Sequence, residues 1–196
     1  LDSWDEMDKS LKDGFRKIEN YDNKIIFGHS IGALVAVHGI LNNVVNPDYL
    51  ILTAPTFQVN YPEFLKKLAK PLSSLAPNLR SFSNVTKNNL TNDKDVVKNY
   101  FNDPLVFRSI TFRAGYEIIK AQDYVNSNIK NLVTETLVLH GENDTISPIQ
   151  GSSELSKLEN VKYIKVENSK HEILNQDTRM YALSEIHEWL KIKSLV

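Results

Sequence analysis

The sequence predicts an α/β fold: a mostly parallel sheet with helices on both faces and a helical insertion between two of its strands. Three observations carry this. Short apolar runs alternate with longer stretches of helical character, the pattern of strands joined by crossover helices. Three of the four strand candidates are near-continuous apolar runs rather than alternating ones, as strands covered on both faces are. And one long stretch, Thr56 to Lys130, breaks the alternation with a segment rich in Asn, Lys and Ser.

Leu1 to Asn20 reads as an amphipathic helix, with Trp4, Met7, Leu11, Phe15 and Ile18 at helical spacing. Lys24 to Phe27 is a buried strand bounded by Asp22-Asn23 and Gly28. Ile31 to Leu41, rich in Ala, Val and Leu, is a buried helix, and Asn42 to Pro47 a turn cluster. Tyr49 to Thr53 is a second strand, stopped by Ala54-Pro55. Within the insertion two helical patches stand out, Pro62 to Leu75 and Pro104 to Val125, with a polar, loop-like stretch from Asn78 to Asp95 between them and no strand signals. Thr136 to Leu139 and Val161 to Val166 are the third and fourth strands. Ser147-Pro148 reads as an N-cap and first helical residue opening a helix to Leu158. Asp177 to Ile192 is the last amphipathic helix, with Tyr181, Ile186 and Trp189 inward. The expected organisation is a core over residues 1–55, a helical cap over 56–130, and the rest of the core over 131–196.

Composition narrows the chemistry. The 196 residues are 41% hydrophobic and 24% charged, with a formal net charge of -1. That balance suits a globular domain and gives no basic stripe for nucleic acid. The chain has no cysteine, which excludes disulfides, thiol nucleophiles and Cys-ligated zinc, and fits the cytoplasm. No apolar run reaches the roughly 18 residues of a membrane span.

The central motif is Gly28-His29-Ser30-Ile31-Gly32, a G-x-S-x-G match between a strand and a helix. Chance gives on the order of 0.02 such matches in a chain this poor in glycine. A nucleophile on so tight a turn needs small neighbours and lies at a helix N-terminus, where backbone N–H groups favour developing negative charge. A nucleophilic Ser needs a base, and the base an orienting carboxylate, in the chain order Ser, acid, His. Asp144 follows the third strand on the carboxyl edge of the sheet; Glu142 is its rival, and the shorter side chain at the loop tip is favoured. Of the five His, His171 is the loop residue after the last strand and before the last helix. His29 lies inside the turn as a packing or hydrogen-bonding neighbour, and His38, His140 and His187 lie on helices or a strand in structural roles.

With these residues in place the chain resembles the monoglyceride lipase and lysophospholipase family of α/β-hydrolases, through GHSIGA at 28–33, LHGENDTISP at 139–148, SKHEILN at 169–175 and NDPL at 102–105. The resemblance implies a carboxylester hydrolase acting on a monoacylglycerol or lysophospholipid through an acyl-enzyme. Ser30, Asp144 and His171 would be the triad, and Ile31 would supply one oxyanion N–H. It also implies a single-chain lipid ester as partner, room for peripheral membrane contact through the cap, and no metal or organic cofactor. Phe64, Leu65, Leu68, Leu72, Leu75, Ile110, Phe112 and Ile118 would line the acyl channel or pack its outside.

Two departures accompany it. Ala33 stands where relatives more often have Gly, and no H-G-x-G-type segment precedes the elbow. The expectation is therefore that the N-terminal strands and the second oxyanion donor lie upstream of Leu1, and that this chain alone turns over slowly, since one such donor is worth roughly 10²–10³ in rate. The alternatives are another α/β-hydrolase, a small-ester esterase or peptidase, and a non-catalytic fragment lacking the oxyanion loop.

Overall fold

A computed structural model of the chain describes residues 1–59 and 63–196. In chain order the elements are α1 (Asp5–Phe15), β1 (Ile25–His29), α2 (Ile31–Leu41), β2 (Tyr49–Thr53), α3 (Glu63–Leu75), β3 (Arg80–Phe82), α4 (Lys94–Asn102), β4 (Ser109–Thr111), α5 (Phe112–Asn128), β5 (Glu135–Gly141), β6 (Val161–Val166) and α6 (Arg179–Ile192). Strands β1, β2, β5 and β6 form a parallel sheet in the order β1-β2-β5-β6.

The period-2 alternation of each strand divides the apolar residues between two cores. Leu50, Leu52 and Val138 face one side, packed with Trp4, Leu34 and Val37 and with Ala121 and Val125 of α5. Ile51, Leu137 and Leu139 face the other, packed against Ile173, Ala182 and Trp189. The sheet is thus covered on both faces, which is why its inner strands read as unbroken apolar runs. The two edges differ. On β6, Lys162 and Lys165 point outward into ion pairs with Glu185 (2.9 Å) and Glu142 (2.7 Å), and charged residues on an edge discourage further pairing. On β1, at the opposite edge, Phe27 is 48% exposed.

Several expectations are corrected. Residues 56–130 do contain strands: β3 and β4 pair antiparallel, Arg80 opposite Thr111 and Phe82 opposite Ser109. Three-residue strands are too short for a periodic signal. Helix α4 begins in the last two residues of the expected loop and fills 96–102, which the sequence pattern assigns to no element. None of its residues is fully buried, although Val96, Val97, Tyr100 and Phe101 stand on one face at helical spacing; it opens on the N-cap Asp93, whose carboxylate accepts from the Asp95 and Val96 amides. The second helical patch begins at Phe112 rather than Pro104, capped by Thr111. The expected start of the first patch at Pro62 lies outside the described residues. The segment after Pro148 is a 3₁₀ helix, Ile149–Lys157, and Pro148, with ψ 133°, stands outside it. The first helix stops at Phe15, although the lesser exposure of Trp4, Met7, Leu11 and Phe15 follows the expected stripe. On α6, Trp189 is buried and Ile186 packs beside it, but Tyr181 faces outward, 48% exposed. Among the described residues no helix is long and apolar enough to cross a membrane.

At the β1–α2 junction strand and helix backbones come close together. A Cβ on Gly28 would lie 2.8 Å from the Ala33 Cα and 2.9 Å from its backbone N, whereas one on Gly32 would meet nothing within 4 Å. The need for small residues on both sides of Ser30 is therefore corrected to one side. Gly28→Ala is expected to lower stability by about 1–3 kcal/mol, because rigid backbone must move. Gly32→Ala, in the first turn of a helix, is expected to be neutral or stabilising by up to about 1 kcal/mol. Urea unfolding midpoints check this, and equal effects of the two substitutions would contradict it.

Candidate active site

β1 turns into α2 at Ser30, whose backbone takes φ 54° and ψ -120°. A non-glycine residue held there costs of order 1–3 kcal/mol and persists only where its surroundings over-determine it. Here they do. The Ser30 N–H donates to the Thr53 carbonyl at 3.0 Å, and the Ser30 carbonyl accepts from the amides of Ala33 (3.1 Å), Leu34 (3.4 Å) and Thr56 (3.3 Å). Helix α2 starts at the next residue, Ile31, so Ser30 stands at the positive end of that helix's dipole.

The loops after β5 and β6 bring the other two predicted residues to it. Ser30 Oγ lies 2.8 Å from His171 Nε2, and His171 Nδ1 lies 2.8 Å from Asp144 Oδ2. Asp144 is 5% exposed, and its Oδ1 accepts from the amides of Ile146 and Ser147 at 2.9 Å each. Glu142, the rival, turns outward to Lys165 and does not reach His171. The network sets the tautomer: with Asp144 an acceptor, His171 carries its proton on Nδ1 and offers the Nε2 lone pair to the Ser30 hydroxyl.

Two neighbours complete the charge pattern. His140, fully buried, sets Nε2 2.8 Å from the Ser147 carbonyl and 3.3 Å from Asp144 Oδ2, with Ser152 Oγ on Nδ1 at 2.7 Å. Burial works to raise the Asp144 carboxyl, but hydrogen bonding from His140 and His171 outweighs it and holds Asp144 far below the usual carboxylate range. His29 binds Thr53 Oγ1 through Nδ1 at 2.9 Å, and its ring centroid is 5.1 Å from that of His171. Its Nε2 lies 3.4 Å from Glu172 Oε1, close to it but short of a formed hydrogen bond. The His29 imidazole, working against burial and joined by Asn175, pulls the Glu172 carboxyl down to about 2. Glu172 carried no signal of its own in the sequence beyond standing next to His171.

Above Ser30 and His171 opens a cavity of about 470 Å³. His29, Ile31 and Glu172 border it beside Ser30 and His171, and Val59, Leu90, Ile110, Ile118 and Ile146 form apolar wall. A smaller space of about 100 Å³ adjoins it across Ile110 and Gly115, reached by Leu72 and Phe112. Of the apolar residues expected in this region, Phe64, Leu68 and Leu75 instead face outward. The Leu65 side chain lies outside the described residues.

Glu172 has a folded-state value below its ordinary 4.5. Its contribution to stability is therefore full above pH 4.5 and lost as pH falls through about 2. Glu172→Gln is expected to flatten the acid-side loss of stability in that window, read as urea midpoint against pH. An unchanged slope would contradict the His29–Glu172 pairing.

Comparison with known proteins agrees with this architecture. Residues 2–178 match the Hydrolase_4 family, described as "Serine aminopeptidase, S33". A monoglyceride lipase homolog of Monkeypox virus is 28% identical over 172 residues, 84% of this chain; the match spans 62% of the viral protein's length. A monoacylglycerol lipase of Paleococcus ferrophilus superposes with a TM-score of 0.87 at 23% identity, over 96% of this chain and 75% of that one. A soluble variant of the Saccharomyces cerevisiae monoglyceride lipase, in complex with a substrate analog, gives 0.77 at 16% identity, over 96% and 68%. At these identities the two structures speak for the fold, that of the α/β-hydrolases. The chain belongs to the Hydrolase_4 family, the group described as serine aminopeptidase S33, and has the α/β-hydrolase fold.

Proposed function

We propose that this chain carries the catalytic centre of a serine carboxylester hydrolase acting on single-chain lipid esters, a monoacylglycerol or a lysophospholipid. The observation that carries the reading is the unbroken line of hydrogen bonds from Ser30 through His171 to Asp144, at the floor of a largely apolar cavity. Ser30 Oγ attacks the ester carbonyl while its proton passes to His171 Nε2, and the carbonyl π pair moves onto oxygen. The Ile31 N–H donates to that oxyanion at the head of α2. Asp144, already ionised, stabilises the imidazolium. The tetrahedral carbon then expels the alcohol, which takes the proton from His171, and water repeats the sequence on the acyl-Ser30 ester to release the fatty acid. The segment 56–130 acts as a cap whose apolar wall receives the acyl chain. Its exposed Leu75, Leu105 and Phe107 support contact with a lipid surface.

A second reading rests on Glu172. An ionised carboxylate on the cavity wall suits a substrate bearing an ammonium group, in line with the aminopeptidase description of the family. Aminoacyl arylamides assayed beside monoacylglycerols separate the two.

Ser30→Ala is expected to abolish ester hydrolysis, and Asp144→Asn to lower kcat by about 10⁴ while leaving the fold intact. A mild Asp144→Asn effect beside a severe Glu142→Gln effect would reassign the acid. Each buried methylene is worth about 0.8 kcal/mol, so kcat/KM should climb with acyl length and level off once the cavity is full. Rates falling steadily from acetyl to dodecanoyl esters would exclude the lipid reading.

A further inference from the structure

Ser30 Oγ has a second neighbour besides His171. Thr56 Oγ1 lies 3.0 Å from it, and Ser147 Oγ lies 2.7 Å beyond Thr56 Oγ1. All three positions are in fixed surroundings. Thr56 is 4% exposed and Ser147 fully buried. The Thr56 amide donates to the Ser30 carbonyl, and the Thr56 carbonyl accepts from Gln122 Nε2 of α5 at 3.0 Å. The Ser147 amide is one of the two donors on Asp144 Oδ1. Neither hydroxyl figures in the roles assigned above.

Distances alone leave the direction of these bonds open, but each hydroxyl has one hydrogen, and the count has one solution that satisfies every buried group. His171 Nε2 has no proton and needs a donor, and Ser30 is the hydroxyl at 2.8 Å; the Ser30 hydrogen is therefore committed to His171. Ser30 Oγ is then an acceptor toward Thr56, so Thr56 donates to Ser30. Thr56 Oγ1 in turn accepts from Ser147. Reversing the chain would leave the Ser147 hydrogen with no acceptor among the described residues and His171 Nε2 with no donor, two buried polar groups left unpaired. The bonds thus run one way, Ser147 to Thr56 to Ser30 to His171 to Asp144, and the Ser147 amide returns to the other oxygen of Asp144, closing a ring.

We propose that Thr56 is a further catalytic residue, whose hydroxyl donates to Ser30 Oγ and, fed by Ser147, holds the nucleophile aligned on His171 and stabilises the negative charge that gathers on Oγ as its proton leaves. This rests on Ser30 being the nucleophile and is independent of the substrate. No proton passes along the Thr56 arm: the Ser30 hydrogen goes to His171 Nε2, an Oγ lone pair forms the bond to the carbonyl carbon, and the π pair goes to the carbonyl oxygen. The Thr56 and Ser147 hydrogens stay on their own oxygens and shorten their contacts as charge builds, since hydrogen bonds in a chain polarise one another.

The test is the second-order rate constant for labelling by an alkyl fluorophosphonate, with kcat and KM on a soluble ester, for Thr56→Val, Thr56→Ser, Ser147→Ala and the double variant Thr56→Val/Ser147→Ala. Val has the shape of Thr without the donor. The expected result is a tenfold to hundredfold loss of labelling and of kcat in Thr56→Val at unchanged KM, with Ser recovering most of the rate. Ser147→Ala should lose less, and adding it to Thr56→Val should lose nothing further, because Ser147 acts on Ser30 through Thr56. A Thr56→Val enzyme that labels at the wild-type rate overturns the proposal, as do losses that multiply in the double variant or a Thr56→Ser variant as slow as Thr56→Val. Absence of labelling in the wild-type protein overturns the reading of Ser30 itself, and the Thr56 role with it.

Discussion

The site depends on one backbone constraint, the strained turn at Ser30. A residue at φ 54° is tolerable only because the sheet and α2 close around it: Gly28 lets the Ala33 backbone come within contact, and Thr53 and Thr56 hold the Ser30 amide and carbonyl. The parallel register then does the rest. His29 stands opposite Thr53, and Thr53 opposite Leu139, so the strands end together and their carboxyl-end loops converge on one point. Ser30, Thr56, Asp144 and His171 all leave the sheet at that edge, where ligands bind in open α/β sheets.

Burying Asp144 would be costly if its oxygens were left to one imidazole. Two backbone amides, His171 and His140 share the charge, so the carboxylate stays ionised and its orientation is over-determined. The same residues that satisfy the acid also reach the nucleophile, because Ser147 lends its amide to Asp144 and its hydroxyl to Thr56. A buried network with every member satisfied rigidifies a site; a partly satisfied one would destabilise it.

Legibility followed local signals. Ser30 was readable because the elbow packs a glycine, a serine and a helix start into consecutive residues. Asp144 and His171 were readable because each follows a clear strand, and helix α2 was found with its observed bounds because its apolar run is unbroken. Thr56 and Ser147 were not readable: a hydroxyl has no preferred spacing, and the two meet across 91 residues of chain. The Ser147-Pro148 pair carries a local helix-start signal instead, which tertiary contacts here override. Glu172 was hidden because its partner, His29, is 143 residues away by number and looked like a turn residue. Helix α4 spans only nine residues, too short a run for its Val96, Val97, Tyr100 and Phe101 face to stand out, and the three-residue strands β3 and β4 carry no period at all.

The central claim, that Ser30 is the nucleophile of an ester hydrolase, is tested most directly by trapping the intermediate. Turnover of a long-chain monoacyl ester is quenched in acid within the first milliseconds, and the protein is digested for mass spectrometry. The account predicts the mass of the acyl group on the peptide containing Ser30 and on no other. An acyl adduct on another residue, or turnover of a slowly deacylating carbamate ester with no adduct on that peptide, would contradict it.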